Sequence, residues 1–101
     1  MLNKDQIIDI LKGDASYLRS LHLKGIGLFG SVARSENTAK SDVDLLVEYD
    51  AGHKTWKNFN KVCDYLETYF GDNYDIVTKE GISQRMFDTI SKDMIYIQLQ
   101  S

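Results

Sequence analysis

Three segments of this chain repeat apolar residues at helical spacing. The first follows Asn3, whose side chain can cap a helix, and it is interrupted at Gly13 and Asp14, where we expect a break or kink. The second covers residues 55–70, and the third begins behind Ser83, which can cap a last helix running to about residue 92. The spacing therefore predicts helices in all three segments.

Shorter apolar runs between these segments have the character of β-strands. Residues 25–29 form one run that ends in Gly30-Ser31, after which residues 31–35 begin a short helix. Residues 43–49 form a second run that is apolar on both faces beyond its acids, which is typical of a strand covered on both sides. Residues 76 and 77 indicate a third strand, and residues 94–99 form an apolar tail. The pattern predicts an α/β (α+β) fold with a small mixed β-sheet flanked by helices.

The helix predicted over residues 55–70 has a single apolar stripe. Its members are Trp56, Phe59, Cys63, Leu66 and Phe70. We therefore expect Trp56 to pack in the core rather than to stack on an adenine, and Cys63 to fill core space rather than to act as a nucleophile. Tyr65 and Tyr69 lie off the stripe and are expected on the helix surface or against a partner.

Composition and charge limit the classes of protein that this pattern fits. The chain has 101 residues, 43% of them hydrophobic and 27% charged, as expected of a single globular domain over residues 1–101. Its net charge is −3, without a cluster of lysine and arginine, so a long nucleic acid is not expected as a partner. No apolar run approaches the roughly 20 residues that cross a bilayer, so no membrane partner is expected either.

The N-terminus and the single cysteine indicate a compartment. Polar residues from Asn3 onward argue against a signal peptide. Cys63 cannot form an internal disulfide, which fits a reducing environment. Together these features predict a cytoplasmic protein.

The two histidines do not form a metal-binding motif. His22 and His53 lie far apart in the sequence, and neither has a cysteine or histidine at metal-binding spacing. We therefore expect both on the surface or in loops.

Two carboxylates open the second strand. Asp42 and Asp44 are two residues apart, so a strand directs both side chains to one face, about 7 Å from each other along the chain. Such carboxylates repel each other unless a cation lies between them, and Mg²⁺ commonly binds through one or two carboxylates plus substrate phosphates. Glu48 shares the face but lies about 13 Å farther along the strand, too far to share the ion. We predict that Asp42 and Asp44 hold one or two Mg²⁺ ions.

The Gly30-Ser31 pair stands where the first strand turns into the short helix. Glycine lets the backbone approach a ligand closely, and N–H groups at such a turn form an anion site together with a serine hydroxyl. Arg34 follows on the next turn and can offer a bidentate guanidinium to phosphate oxygens. A phosphate site beside a carboxylate metal site is what nucleoside triphosphate chemistry needs. The simpler alternative is an ordinary Gly-Ser turn beside a solvated strand start.

In this chain, Gly30-Ser31 is followed by ten residues and then by Asp42-Val43-Asp44. This run closely resembles the signature of the minimal nucleotidyltransferase (MNT) domain of the DNA polymerase beta-like superfamily. That signature is Gly-Ser, about ten residues and then Asp-x-Asp. The likeness covers nearly the whole chain. It implies the nucleotidyltransferase fold, with ATP as the donor and Mg²⁺ as the cofactor. Ser35 departs from the family, which often has a glycine after the arginine, and this change is expected to stiffen the phosphate loop slightly.

The same resemblance implies a third acid. By itself, Asp75 is an ordinary acid at the start of a short strand, after the turn-like residues 71–73. The family carries a third active-site carboxylate on a later strand, which implies that Asp75 joins Asp42 and Asp44 as a catalytic residue. It would complete the metal site or accept a proton from the attacking hydroxyl.

Finally, the resemblance implies a partner. The motif-bearing core uses nearly the whole chain, so the acceptor is expected to be another protein, or another subunit must supply its pocket. The MntA-like members that the chain resembles are often paired with a HEPN-domain RNase toxin, and they neutralise it as antitoxins by transferring AMP to a toxin tyrosine. The leading hypothesis is therefore an adenylyltransferase antitoxin in a hetero-oligomer. The alternatives are a binding-only antitoxin and a subunit that modifies a small molecule such as an antibiotic.

Overall fold

In the computed structural model, which describes residues 2–100, a four-stranded mixed sheet organises the chain. Its strands are β1 (Leu23–Phe29), β2 (Val43–Tyr49), β3 (Tyr74–Thr78) and β4 (Ile95–Gln98). They lie in the order β3-β2-β1-β4, with β1 antiparallel to both of its neighbours and β2 parallel to β3. The predicted mixed sheet is confirmed, and the apolar tail contributes β4, one of its two edge strands.

Helices connect the strands and cover the sheet. They are α1 (Lys4–Gly13), α2 (Ala15–Ser20), α3 (Gly30–Ala33), α4 (Trp56–Phe70) and α5 (Gln84–Ser91), with a 3₁₀ turn at Lys79–Gly81. The Asn3 side chain accepts a hydrogen bond from the Gln6 N–H at 2.8 Å, and the Ser83 side chain accepts one from the Met86 N–H at 3.1 Å. Both caps and the break between α1 and α2 match the predictions. Within residues 2–100, none of these helices combines the length and the hydrophobicity that crossing a bilayer requires.

The hydrophobic core lies between the sheet and helices α1, α2 and α4. Side chains from these elements form one buried cluster, which includes Leu11, Leu18, Leu28 and Leu66. Alternate residues of β2 join this cluster, whereas Leu46 is directed to the other face and is also fully buried. As its apolar pattern predicted, β2 is therefore covered on both faces.

The buried side of α4 differs from the predicted stripe. Trp56 is 80% exposed, so the prediction that it packs in the core is wrong. Tyr65 is only 7% exposed, so the prediction that it lies on the surface is also wrong, whereas Tyr69 is 41% exposed as expected. Cys63 is half-buried, and burial raises the pKa of its thiol, which fits a packing role better than that of a nucleophile.

Hydrogen bonds to other segments explain which residues α4 buries. Asn58 is buried, and its side-chain amide donates to the His53 carbonyl at 2.7 Å. The Tyr65 hydroxyl donates to Asp14 at 2.8 Å, so its polar tip is satisfied inside the protein. A prediction based on apolar residues alone put Trp56 of the first turn in the core. It was wrong because it did not consider polar side chains, such as that of Asn58, that form hydrogen bonds with distant segments.

His22 and His53 lie in loops, as expected, but the fold stacks them face to face. Their ring centroids are 4.1 Å apart and their planes differ by 4°. The His22 carbonyl accepts a hydrogen bond from the Asp50 N–H at 2.9 Å, which ties the loop after β2 to the segment before β1. Their separate positions in the sequence did not indicate this contact.

Alanine substitutions at Leu66 and Trp56 will distinguish the observed buried side of α4 from the predicted stripe. We expect Leu66→Ala to lower the free energy of unfolding by about 2–5 kcal/mol, because it leaves a cavity in the core. Trp56→Ala should change it by less than about 1 kcal/mol, because most of that side chain is in water. Urea unfolding followed by circular dichroism measures both values, and equal losses would show that Trp56 is part of the core.

Candidate active site

The parallel pairing of β2 and β3 brings two of the predicted acids together. Asp44 is paired with Asp75 in the register, so both side chains leave the same face of neighbouring strands, which lie about 4.8 Å apart. The Val43 N–H donates to the Asn73 carbonyl at 2.9 Å and extends the pairing to the starts of both strands. Asp42 lies just before β2 and is exposed. The predicted catalytic acids therefore meet at one end of the sheet.

Electrostatic interactions join the three carboxylates. Asp44 is half-buried, and its pKa lies above the usual value for an aspartate. Burial is the largest cause, followed by the negative charges of Asp75 and Asp42, while the charge of Arg34 acts in the opposite direction. A divalent cation at this point would relieve the repulsion among the carboxylates.

The site is open rather than a closed protein cage for a metal. Within residues 2–100, no group of three or more Asp, Glu, His or Cys side chains is arranged to hold one ion. This donor set fits Mg²⁺, which commonly takes one or two protein carboxylates and completes its shell with phosphate oxygens and water. The assignment of Asp42, Asp44 and Asp75 as metal ligands stays a prediction.

Gly30 is required both by its backbone and by its neighbour. Its φ of +78° lies in the left-handed region, which side chains with a Cβ adopt at a cost. A Cβ at this position would also collide with the carboxylate of Asp44, because Phe29 is paired with Asp44 across β1 and β2. Gly30 and the carboxylate of Asp44 are therefore immediate neighbours.

The turn continues into α3, a single helical turn that begins at Gly30. Val32 and Ala33 are buried and fix this turn to the core, while Ser31 is half-buried at its start. The first N–H groups of a helix have no partner within the helix, so they are available to an anion. The predicted phosphate-binding pair thus lies beside the acids, as the sequence indicated.

Arg34 is placed differently from the expected free phosphate clamp. Its Nε lies 3.1 Å from Glu36 Oε2 and its Nη1 lies 3.3 Å from Asp93 Oδ2. Both carboxylates raise the pKa of Arg34, Glu36 most strongly. Asp93 precedes β4, so this contact ties the end of α3 to the edge strand. Sequence reasoning missed Asp93, because no local signal marks a partner so far along the chain.

Ser35, the residue that departs from the family pattern, has a backbone conformation that glycine adopts easily. Its φ is +57°, in the left-handed region that favours glycine. A glycine after the arginine would adopt this conformation without strain. Compared with glycine, serine therefore raises the conformational free energy of this turn, and the substitution removes no functional side chain.

A family model of the nucleotidyltransferase domain matches residues 6–99 of this chain. The protein adenylyltransferase MntA of Thermococcus cleftensis is 32% identical over 98 residues, which cover 96% of this chain and 98% of that protein. MJ1379 of Methanocaldococcus jannaschii, provisionally named a protein adenylyltransferase, is 33% identical over 100 residues, covering 96% of this chain and all 100% of that protein. The chain belongs to the nucleotidyltransferase domain family.

Solved structures show the same architecture. A protein provisionally described as a minimal nucleotidyltransferase matches with a TM-score of 0.76 at 26% identity, covering 93% of this chain and 95% of that chain. A toxin–antitoxin complex with AMP-PNP matches with a TM-score of 0.53 at 22% identity, covering 99% of this chain and 74% of that chain. The latter similarity concerns the fold alone. The expected nucleotidyltransferase fold is confirmed.

Substituting alanine for Gly30 will test the contact with Asp44. Gly52 is the matched control, since its φ is +82° and no atom lies within 4 Å of a Cβ built there. Gly52→Ala should cost about 1–2 kcal/mol of unfolding free energy through backbone strain alone. Gly30→Ala should cost more and should also abolish nucleotidyl transfer, because the carboxylate must move. Equal effects of the two substitutions on stability and transfer would argue against the contact.

The raised pKa of Asp44 predicts a pH-dependent gain of stability in Asp44→Asn. A carboxylate with a raised folded-state pKa destabilises the fold once it is ionised, so its removal should stabilise the protein near pH 7. The gain should be less than about 1 kcal/mol, because solvent screens a half-exposed group, and it should vanish below the ordinary aspartate pKa of about 3.9. Urea unfolding in EDTA measures it, with Asp9→Asn on α1 as the control. A loss of stability at pH 7 would contradict the prediction.

Proposed function

We propose that this chain is a Mg²⁺-dependent adenylyltransferase that transfers AMP from ATP to a tyrosine hydroxyl of a HEPN-domain RNase toxin, and that it is the antitoxin of that partner. One arrangement chiefly supports the proposal. Asp44 is paired with Asp75, and its carboxylate fills the space beside Gly30 that a side chain would need. The Gly30-Ser31 turn and the carboxylates therefore lie at the same end of the sheet.

Each residue has a task in the proposed reaction. The Gly30-Ser31 turn binds the triphosphate through backbone N–H groups and the serine hydroxyl. Asp42 and Asp44 would hold Mg²⁺, which when bound neutralises charge on the triphosphate and on the departing pyrophosphate. Asp75 lies beside Asp44 and takes the proton of the attacking hydroxyl or adds a further oxygen ligand. Arg34 would reach a phosphate only by leaving Glu36 or Asp93.

The bond changes in this reaction are those of a nucleotidyl transfer. The acceptor oxygen forms a bond to the α-phosphorus of ATP, and the bond from that phosphorus to the oxygen that bridges the β-phosphate breaks. The hydroxyl proton goes to Asp75 or to solvent, and pyrophosphate carries away the bonding electrons. The chain's contribution is to hold the phosphates and the acceptor in line and to stabilise the charge.

The relatives support the choice of AMP and of a protein acceptor. The Thermococcus cleftensis protein is named a protein adenylyltransferase, and it matches this chain over nearly its full length. The toxin–antitoxin complex that shares the fold was solved with AMP-PNP, an ATP analogue. We therefore propose that residues 1–101 act as one domain, in the cytoplasm, within a hetero-oligomer that includes the toxin.

Removing the first two acids will test the catalytic assignment. Asp42→Asn/Asp44→Asn should reduce transfer of label from α-labelled ATP to the proposed HEPN-domain toxin by at least about 10²–10³-fold. The control Asp9→Asn/Asp88→Asn makes the same change of charge on α1 and α5 and should leave labelling intact. Intact mass spectrometry of the toxin counts the AMP groups.

Cell protection separates this function from that of a binding-only antitoxin. If the double acid variant still protects cells that express the toxin, docking alone is sufficient for inhibition. Equal labelling by the variant and the native protein would refute the proposed catalytic residues. Labelling of the toxin at a residue other than tyrosine would refute only the proposed acceptor.

A further inference from the structure

Three tyrosine rings form a continuous aromatic row on the helical side of the protein. Tyr17 on α2 lies 5.7 Å from Tyr65 on α4, measured between ring centroids, and Tyr65 lies 5.3 Å from Tyr69. Tyr17 is 52% exposed and Tyr69 is 41% exposed, so the row presents aromatic surface to solvent. We call this row, together with Asp14 and Asp64, the tyrosine surface. The proposed chemistry at the end of the sheet uses none of these side chains.

Asp14 holds the row in place. One of its carboxylate oxygens, Oδ2, accepts hydrogen bonds from the Tyr65 hydroxyl at 2.8 Å and from the Tyr69 hydroxyl at 2.9 Å. Two rings on α4 are therefore fixed by a residue between α1 and α2. Rings that are ordered before binding lose little conformational entropy when a partner contacts them.

The tyrosine surface surrounds an open, negatively charged depression. Its volume is about 350 Å³, and Thr68 completes the lining formed by the three tyrosines and the two aspartates. No lysine or arginine lines it. Within residues 2–100, neither Asp14 nor Asp64 takes part in an ion pair. The depression therefore presents aromatic faces and uncompensated negative charge together.

The tyrosine surface continues toward the candidate active site. Tyr69 also lines a second depression, of about 530 Å³, whose other walls include Val43 and Asn73. Val43 lies between Asp42 and Asp44, and Asn73 lies two residues before Asp75. The second depression therefore lies at the same end of the sheet as the acids, on the face that Val43 shares with the core.

We propose that the tyrosine surface docks an arginine-bearing basic segment of the protein that accepts AMP. This inference rests on the proposed function only in assuming that the acceptor is a protein. A guanidinium can stack on an exposed tyrosine ring while it pairs with a carboxylate, which a lysine ammonium does less well. Tyrosine is also enriched among the residues that carry binding energy at protein interfaces.

Charge complementarity favours this occupant over others. An acidic segment would be repelled by Asp14 and Asp64, and an apolar segment would bury both negative charges without a cation to offset them. A basic segment satisfies them and covers the rings at the same time. Docking there would hold the acceptor protein near the end of the sheet that carries Asp42, Asp44 and Asp75.

Peptide titration tests the surface without nucleotide or catalysis. We expect a blocked tetra-arginine peptide, added to isotope-labelled protein, to shift the NMR signals of Tyr17, Tyr65 and Tyr69. It should bind at least about threefold more tightly than tetra-lysine, because only the guanidinium stacks well. Asp64→Lys and Tyr17→Ala should each weaken binding by about fivefold or more. Asp88→Lys on α5 is the control with the same charge change and should have little effect.

Other outcomes would overturn the proposal. Shifts confined to the candidate active site, or equal weakening by Asp64→Lys and Asp88→Lys, would mean that the peptide binds acidic surface in general. Equal affinity for tetra-lysine and tetra-arginine would show that stacking on the tyrosine rings does not contribute to binding. If sedimentation of the free chain depends on concentration and Tyr17→Ala abolishes that dependence, the tyrosine surface binds a second copy of this chain instead.

A separate variant keeps this test independent of the proposed function. The double variant Asp42→Asn/Asp44→Asn should bind tetra-arginine as the native protein does, because its substitutions lie outside the tyrosine surface. Failure of the native protein to transfer AMP to the toxin, with intact peptide binding, would therefore count against the catalytic proposal alone. Intact transfer to the toxin by Asp64→Lys and Tyr17→Ala, with unchanged KM for the toxin, would count against the docking proposal alone.

Discussion

The candidate active site depends on the parallel pairing of β2 with β3. This pairing sets Asp44 beside Asp75, and the gathered negative charge contributes to the raised pKa of Asp44. Like charges at one strand end oppose folding, so another source of free energy must hold them there. The buried residues Leu45, Leu46 and Val47 supply it, because they fix β2 between apolar layers within a few residues of the acids. The apolar core therefore stabilises an arrangement that its charged end would disfavour.

The Gly30-Ser31 turn lies in direct contact with the same strand, β2. The missing Cβ of Gly30 leaves room for the Asp44 carboxylate, so the position of the turn and that of the acid cannot be changed independently. The contact of Arg34 with Asp93 links the end of this turn to the segment before β4. Both contacts join elements that are distant in sequence, and a nucleotide bound at the turn would therefore meet carboxylates already set in place.

Much of the local structure could be predicted, because its causes lie within a few residues. A cap such as Asn3 acts on the N–H three residues later, and the break after α1 follows from Gly13 and Asp14 themselves. The apolar run of β2 likewise indicated cover on both faces. The prediction for α4 was wrong at Trp56 and Tyr65, because the inward side of that helix is set by hydrogen bonds to His53 and Asp14, which lie outside it.

The sequence was sufficient to predict which groups the candidate site contains. These are a Gly-Ser turn, two acids at strand spacing, and a third acid that the family signature implied. Tertiary structure decided which of these groups meet. It paired Asp44 with Asp75 through the strand register, and it occupied Arg34 with Glu36 and Asp93 instead of leaving it free. It also assembled the tyrosine surface from α2, α4 and the junction that holds Asp14. The physical reason is one of range: capping, turn conformation and side-chain alternation act within a few residues, whereas strand pairing, ion pairs and ring contacts form only after packing brings distant segments together.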